Sequence, residues 1–214
     1  AVIIGSLELV SPGSPDAPRI SRALKAAERG ALLTQRLLAF SRKQSLHPQA
    51  VAMQPLLENL NELLRHSLPA TLTLEIEAQQ PAWAAWIDVG QLENALINLV
   101  MNARDAMEGR SGAIRIRTWN QRVTRSDGRR QDMVALEVAD RGCGMSQAIK
   151  AQVFEPFFTT KQTGSGSGLG LSMVYGFIRQ SGGRVEIESA PEQGTTVRLH
   201  LPRASELAHD ASEP

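Results

Sequence analysis

Thr71 to Glu77 reads TLTLEIE, the strict alternation of apolar and polar side chains that a half-buried strand makes. Ala113 to Thr118 (AIRIRT) and Val134 to Val138 (VALEV) repeat it, joined by a polar turn around Ser126-Asp127-Gly128. Arg184 to Glu188 and Thr195 to Leu201 supply two more strands, and Trp83 to Ile87 a short one. Between them the period changes. Leu56 to Leu68, Val89 to Met107 and Ser167 to Gln180 space their apolar residues as amphipathic helices do. This order predicts an antiparallel-rich sheet with helices on one face, an α+β fold built as a two-layer sandwich.

The start of the chain has a different texture. Val2, Ile3, Leu7 and Val10 fall at helical spacing, and the breaker cluster SPGSPDAP (Ser11 to Pro18) ends that helix. From Arg19 to Gln44 a second helix puts Ile20, Ala23, Leu24, Ala27, Ala31, Thr34, Leu37, Leu38 and Ser41 on one stripe. A hairpin of this kind cannot bury its stripe alone, which predicts a homodimer through a dimeric four-helix bundle. Its cations Arg19, Arg22, Lys25, Arg29, Arg36, Arg42 and Lys43 stand against Glu28 and read as a solvated face or as a docking face for an acidic partner. The expected organisation is a helical hairpin over 1–47, a mixed domain over 48–203 and a polar tail or linker over 204–214, with fraying from Arg203 onward.

A net charge of +1 gives no field for nucleic acid. A single cysteine, Cys143, rules out an intrachain disulfide and fits a reducing compartment. No apolar run approaches the roughly 20 residues that cross a bilayer. The segment is expected to carry no membrane span and to be cytoplasmic.

Four blocks carry chemistry. On the helix QLENALINLVMNARDAM, Asn94, Asn98 and Asn102 share one face with Asp105 close by. Leu92, Ala95, Leu96, Leu99, Ala103 and Ala106 are assigned to the sheet side. The amides are either a polar outer face or oxygen ligands for a hard cation such as Mg²⁺. Asp140-Arg141-Gly142-Cys143-Gly144-Met145 follows an apolar strand, as an ordinary turn or as a carboxylate placed at the sheet edge to accept from an exocyclic amine. Gly164-Ser165-Gly166-Ser167-Gly168-Leu169-Gly170-Leu171 opens a helix, as a linker or as an anion cradle at a helix N-terminus. Phe154-Glu155-Pro156-Phe157-Phe158-Thr159-Thr160-Lys161 holds three of the chain's five phenylalanines, as a hydrophobic plug or as a ligand lid. On the second reading, Gln147 to Ser165 form a lid that orders on nucleotide binding.

In order and spacing these blocks resemble the N, G1, F and G2 boxes of histidine kinases in the GHKL ATP-binding superfamily, over Pro48 to Pro202. Gly194 to Pro202 (GTTVRLHLP) is similar to that family's last strand. LLAFSRKQSLHP resembles the second helix of the dimerisation and histidine-phosphotransfer module. FEPFFTTK and GLGLSMVYGFIRQSGG are most similar to hybrid-type kinases.

The resemblance implies the Bergerat fold, ATP and Mg²⁺ as cofactors, and transfer of the γ-phosphate to a histidine of the dimerisation domain. A response-regulator receiver domain is the implied downstream partner. By position, Asn102 would ligate Mg²⁺ and Asn98 support the phosphates. Asp140 would accept from the adenine amine, with Gly142, Gly144 and Met145 shaping that pocket. Gly166, Ser167, Gly168, Leu169 and Gly170 would form the phosphate-side loop, and Thr195 would reach adenine through water. Many relatives carry Lys and an aromatic three and four positions after the metal Asn. Asp105 and Ala106 stand there, so Lys161 or Arg104 is left to supply the charge.

The family's acceptor histidine precedes the segment matching AVIIGSLELV, so no phosphoacceptor is expected in this chain. His47, His66, His200 and His209 are given ordinary surface or packing roles. The competing readings are a catalytically inactive nucleotide-binding dimerisation module and a GHKL-type ATPase, which would place Glu where Asn98 stands.

Overall fold

The computed structural model describes residues 23, 45–65, 67–124, 128, 130–161 and 167–204. The chain divides into two compact units, Ala1–Ser45 and Leu46–Pro214. In the first unit only Ala23, helical and exposed, and Ser45 are described. The expected hairpin therefore lies outside the described residues. So do His66, Ser126-Asp127, Gly164 to Gly166 and the tail from 205.

The second unit runs β1 (Gln49–Val51), α1 (Met53–Leu64), β2 (Leu72–Ala78), β3 (Ala85–Ile87), α2 (Val89–Ala106), β4 (Gly112–Thr124), β5 (Arg130–Ala139), α3 (Gln147–Gln152), α4 (Gly170–Gln180), β6 (Arg184–Ser189) and β7 (Thr195–Pro202). Five strands form one sheet in the order β2-β4-β5-β7-β6. β2 runs parallel to β4, with Leu72 opposite Gly112 and Ala78 opposite Thr118. The other pairs are antiparallel. β1 and β3 make a separate two-stranded ladder.

One side of the sheet meets the helices. Ile114 and Ile116 of β4, Leu136 and Val138 of β5, and Val197, Leu199 and Leu201 of β7 are buried there. They share a core with Leu57 and Leu60 of α1, Leu92, Leu96, Leu99 and Val100 of α2, and Val174, Phe177 and Ile178 of α4. Burying a side chain of this size contributes about 1.5–3 kcal/mol. Alternation therefore settles which face of each strand turns inward. Ala106, assigned to the sheet side, is only half buried. Its carbonyl takes the Cys143 N–H at 3.0 Å instead, and Val100 and Met107 fill the core.

The other sheet face carries charge. Glu137 is 2% exposed and lies between Arg117 and Arg198, at 2.5 and 2.7 Å. Burial raises its pKa, but the two guanidiniums more than offset this and hold it below the usual glutamate range. His200 is buried beside them, with Nδ1 2.9 Å from Gln121 Oε1. Its Nε2 stands 3.2 Å from Glu186 Oε2 but outside hydrogen-bonding geometry.

Several boundaries differ from expectation. α1 starts earlier because Pro55 is tolerated in a first turn, and it stops at Leu64 because Leu68 precedes Pro69. α4 starts at Gly170 rather than Ser167, because Gly168 has φ +65° and cannot join a right-handed helix. α3 lies inside the segment read as a lid, capped by Ser146 Oγ accepting from Ile149 N. Arg203 does not fray. Its guanidinium stacks 4.3 Å over Trp83 and bonds Asp132 at 2.7 Å, and Ala204 N donates to Ala84 O.

Candidate nucleotide site

Asp140 follows the last residue of β5, and Thr195 opens β7 beside it. Asp140 N donates to Thr195 O at 2.9 Å, while Asp140 Oδ1 accepts from Thr195 N at 3.2 Å and from Gly142 N at 2.8 Å. Both backbone donors fall on Oδ1, which leaves Oδ2 for an incoming donor. Burial pushes this carboxyl above the usual aspartate range, and the two N–H groups pull it back only in part.

The loop beyond Asp140 is pressed against its surroundings. A Cβ on Gly142 would lie 2.5 Å from the Ala106 carbonyl oxygen, so α2 closes on this loop only because the side chain is absent. Gly144 has φ +64°, and a Cβ there would meet Ala190 O at 1.9 Å. Met145 N donates to Ser189 Oγ at 2.9 Å, and that hydroxyl reaches Gly194 O at 2.8 Å and Thr195 Oγ1 at 3.0 Å. Arg110, in the turn after α2, closes the far side through Glu192 at 2.6 Å.

α2 supplies the amides. Its N-cap is Asp88, whose Oδ1 accepts from Gln91 N and whose Oδ2 accepts from His47 N, each at 3.0 Å. Asn98 Nδ2 donates back to Asn94 O at 2.9 Å, which frees its oxygen. Gly170, the first residue of α4, meets that face. A Cβ there would stand 3.3 Å from Asn98 Oδ1 and 3.8 Å from Asn102 Nδ2. α4 has no side-chain cap at Leu169, so the N–H groups of its first turn lack a side-chain acceptor there. Leu169 itself is fully buried and fixes the loop, with Ser167 Oγ accepting its N–H at 3.4 Å.

Asp105 is held by two cations. Lys161 Nζ stands 2.5 Å from Oδ2 and Arg104 Nη2 2.8 Å from Oδ1. Burial raises the Asp105 pKa, and the bonds from Lys161 and Arg104 outweigh it, so the net shift is downward. A cavity of about 1090 Å³ beside this end of α2 is lined by Arg104, Asp105, Arg110, Thr160 and Lys161 among others. In the aromatic segment, Phe154 stacks on Tyr175 of α4 with centroids 4.9 Å apart, as a plug would. Phe157 is exposed, with φ 69° and its N–H on Gly168 O at 2.9 Å.

The structure thus brings Asn98, Asn102 and Gly170 together, and Asp140, Gly142, Gly144, Met145 and Thr195 together. Asp105 with Lys161 lies at the end of the same helix. Gly166 falls outside the described residues. Sequence reasoning missed Ser189, Gly194 as a point of close approach, and Asp88. Only the last had a local signal, an Asp just before the helix.

A family profile described as histidine kinase-, DNA gyrase B-, and HSP90-like ATPase matches residues 87–205. The chain is 41% identical over 199 residues to the sensor kinase CckA of Brucella abortus (strain 2308), covering 90% of this chain and 21% of that protein. The chain therefore spans about a fifth of that relative. Among solved structures, full-length ShkA in complex with AMPPNP superposes with a TM-score of 0.74 at 22% identity, covering 94% of this chain and 42% of that one. Histidine kinase ThkA in complex with response regulator protein TrrA gives 0.69 at 22% identity, covering 96% and 58%. At such identities the likeness is one of fold.

Proposed function

Since this chain belongs to the histidine kinase-, DNA gyrase B-, and HSP90-like ATPase family, we propose that it is the kinase core of a two-component sensor. It holds Mg-ATP between α2 and α4 and presents the γ-phosphate to a histidine of the dimerisation hairpin. That phosphate then passes to an aspartate of a receiver domain, a partner class supported by the ThkA complex with TrrA. The core works on the cytoplasmic side as a homodimer through residues 1–47.

The observation that carries this reading is the meeting of Gly170 with Asn98 and Asn102. An uncapped helix N-terminus is a ready phosphate site, and the Asn98 oxygen and Asn102 amide beside it are the group types that suit a hard cation shared with phosphate. Among the described residues no cluster of three His, Cys, Asp or Glu forms a self-sufficient metal cage. That fits Mg²⁺, which takes few protein oxygens and keeps water and phosphate ligands. Asn102 would hold it while Asn98 supports the phosphates, and when bound it would neutralise phosphate charge. Asp140 Oδ2 accepts from the base, and burial makes that contact stronger than it would be in water.

Water is a poor acceptor here. Hydrolysis needs a base to orient and deprotonate it. An amide cannot take that proton, and the Asn98 amide is tied to Asn94 O. Of the described histidines, His200 is buried on the far sheet face and His47 stands before β1. Neither is the acceptor. With γ-labelled ATP, residues 1–214 are expected to gain no stable label. A separately supplied dimerisation fragment bearing an acceptor histidine is expected to gain it, and to lose it with Asn102→Ala. Stable label on residues 1–214 themselves would overturn the missing-acceptor argument, and an acceptor fragment left unlabelled would sink the reading.

A further inference from the structure

Asp140, Thr195 and Ser189 lie opposite one another across three adjacent strands. Asp140 N donates to Thr195 O and Thr195 N to the Asp140 carboxylate, one residue beyond the Ala139–Thr196 pair, and Ser189 pairs with Thr195 in the β6–β7 register. Directly opposed residues of antiparallel strands project to the same face. The row therefore points to the helix side, in line with Val138, Val197 and Ile187.

Ser189 Oγ has three partners within 3.0 Å, and their chemistry orders the protons. A serine hydroxyl has one hydrogen to give and two lone pairs to receive. Met145 N can only donate, so it takes one lone pair. Gly194 O can only accept, so it takes the hydrogen. The contact to Thr195 Oγ1 is then satisfied one way: Thr195 donates its hydrogen to the remaining lone pair. The threonine oxygen is left with lone pairs alone.

We infer that Ser189 is a specificity-determining residue which fixes Thr195 as an obligate hydrogen-bond acceptor, so that the row selects a purine bearing an amine at C6 and rejects one bearing a carbonyl. This rests on the proposed adenine site. Asp140 Oδ2 and Thr195 Oγ1 together present two acceptors. A C6 amine brings two hydrogens and matches both directly. A C6 carbonyl brings none and faces two lone pairs; the single hydrogen on the adjacent N1 cannot serve both acceptors, so at least one is left unpaired. Ser189 touches no ligand in this scheme and acts only by turning the Thr195 hydroxyl.

The test is calorimetric affinity for Mg-ATP and Mg-ITP, which differ only in the C6 group and the N1 hydrogen that accompanies the carbonyl. The native chain should prefer ATP. Equal affinities in the native chain would remove the adenine assignment itself. With Ser189→Ala the Thr195 hydroxyl is free to rotate and donate, and the ATP/ITP affinity ratio should fall by about 3- to 10-fold. Thr195→Val removes the acceptor and should lower the same ratio. The double variant should then match Thr195→Val alone. If the native chain prefers ATP while Ser189→Ala weakens both nucleotides equally, Ser189 is merely structural and the inference fails. Thr195→Val with an unchanged ratio overturns it independently.

Discussion

Lys161 Nζ stands 2.5 Å from Asp105 Oδ2, which joins the loop after α3 to the helix that carries Asn98 and Asn102. Both side chains remain about a third exposed, at 33% and 30%, so the pair is screened. Asp105→Asn should cost no more than about 1 kcal/mol of unfolding free energy. Hydrogen exchange across residues 153–161 should nevertheless speed up, and added salt should narrow the difference. Because the folded pKa of Asp105 is depressed, the tie persists above the ordinary aspartate range and is lost as pH falls through the lowered value. Unchanged exchange in the variant would show that Lys161 does not anchor the loop.

Asp140→Asn keeps the size of the side chain and an oxygen for Gly142 N and Thr195 N. It places an NH₂ where Oδ2 now stands, so donor meets donor at the base. Losing a hydrogen bond to a charged acceptor costs about 1.5–3 kcal/mol, or about 10- to 150-fold in ATP affinity. Calorimetry reads it directly. Equal affinity for ATP and GTP in the native chain would remove this role for Asp140.

His200 makes stability depend on mild acid. Burial lowers its pKa below 6.5, and contact with Glu186 only partly opposes this. Between the lowered value and 6.5 the unfolded chain binds more protons than the folded one. Stability should therefore decline as pH falls below about 6.5 and level off once the folded histidine is charged. Thermal unfolding of His200→Gln should lose that part of the slope. An identical pH profile for both proteins would exclude His200 as its source.

Asp88 serves two donors, one on each oxygen. Asp88→Ala should cost about 0.5–2 kcal/mol as a lost cap. Asp88→Asn should cap nearly as well, since Oδ1 survives, but turns an amide N–H against His47 N. Exchange at the His47 amide should rise in both variants, while the start of α2 should loosen only in Asp88→Ala. Loosening of α2 in Asp88→Asn would mean the two contacts are not separable.

The sequence made the sheet legible where side chains alternate over five or more residues, as in TLTLEIE and AIRIRT. β1 escaped because Gln49 and Ala50 are both exposed, and only pairing with β3 marks them as strand. Asn98, Asn102 and Asp140 stood out because polar groups beside apolar runs need a reason. Ser189 did not. A serine at the end of an exposed-edge strand is unremarkable until β7 puts Thr195 opposite it. Lys161 likewise met Asp105 through a tertiary contact spanning 56 positions, which no local pattern encodes.

Thr195 lies 55 positions after the aspartate whose carboxylate it holds. During synthesis the asparagine helix, the glycine turn and α4 all leave the ribosome before this threonine does. Until β7 arrives, β5 exposes one bare edge to other chains and to chaperones. Within this domain the proposed nucleotide site is therefore completed only when β7 arrives, and a product cut short before residue 195 is expected to be an aggregation hazard.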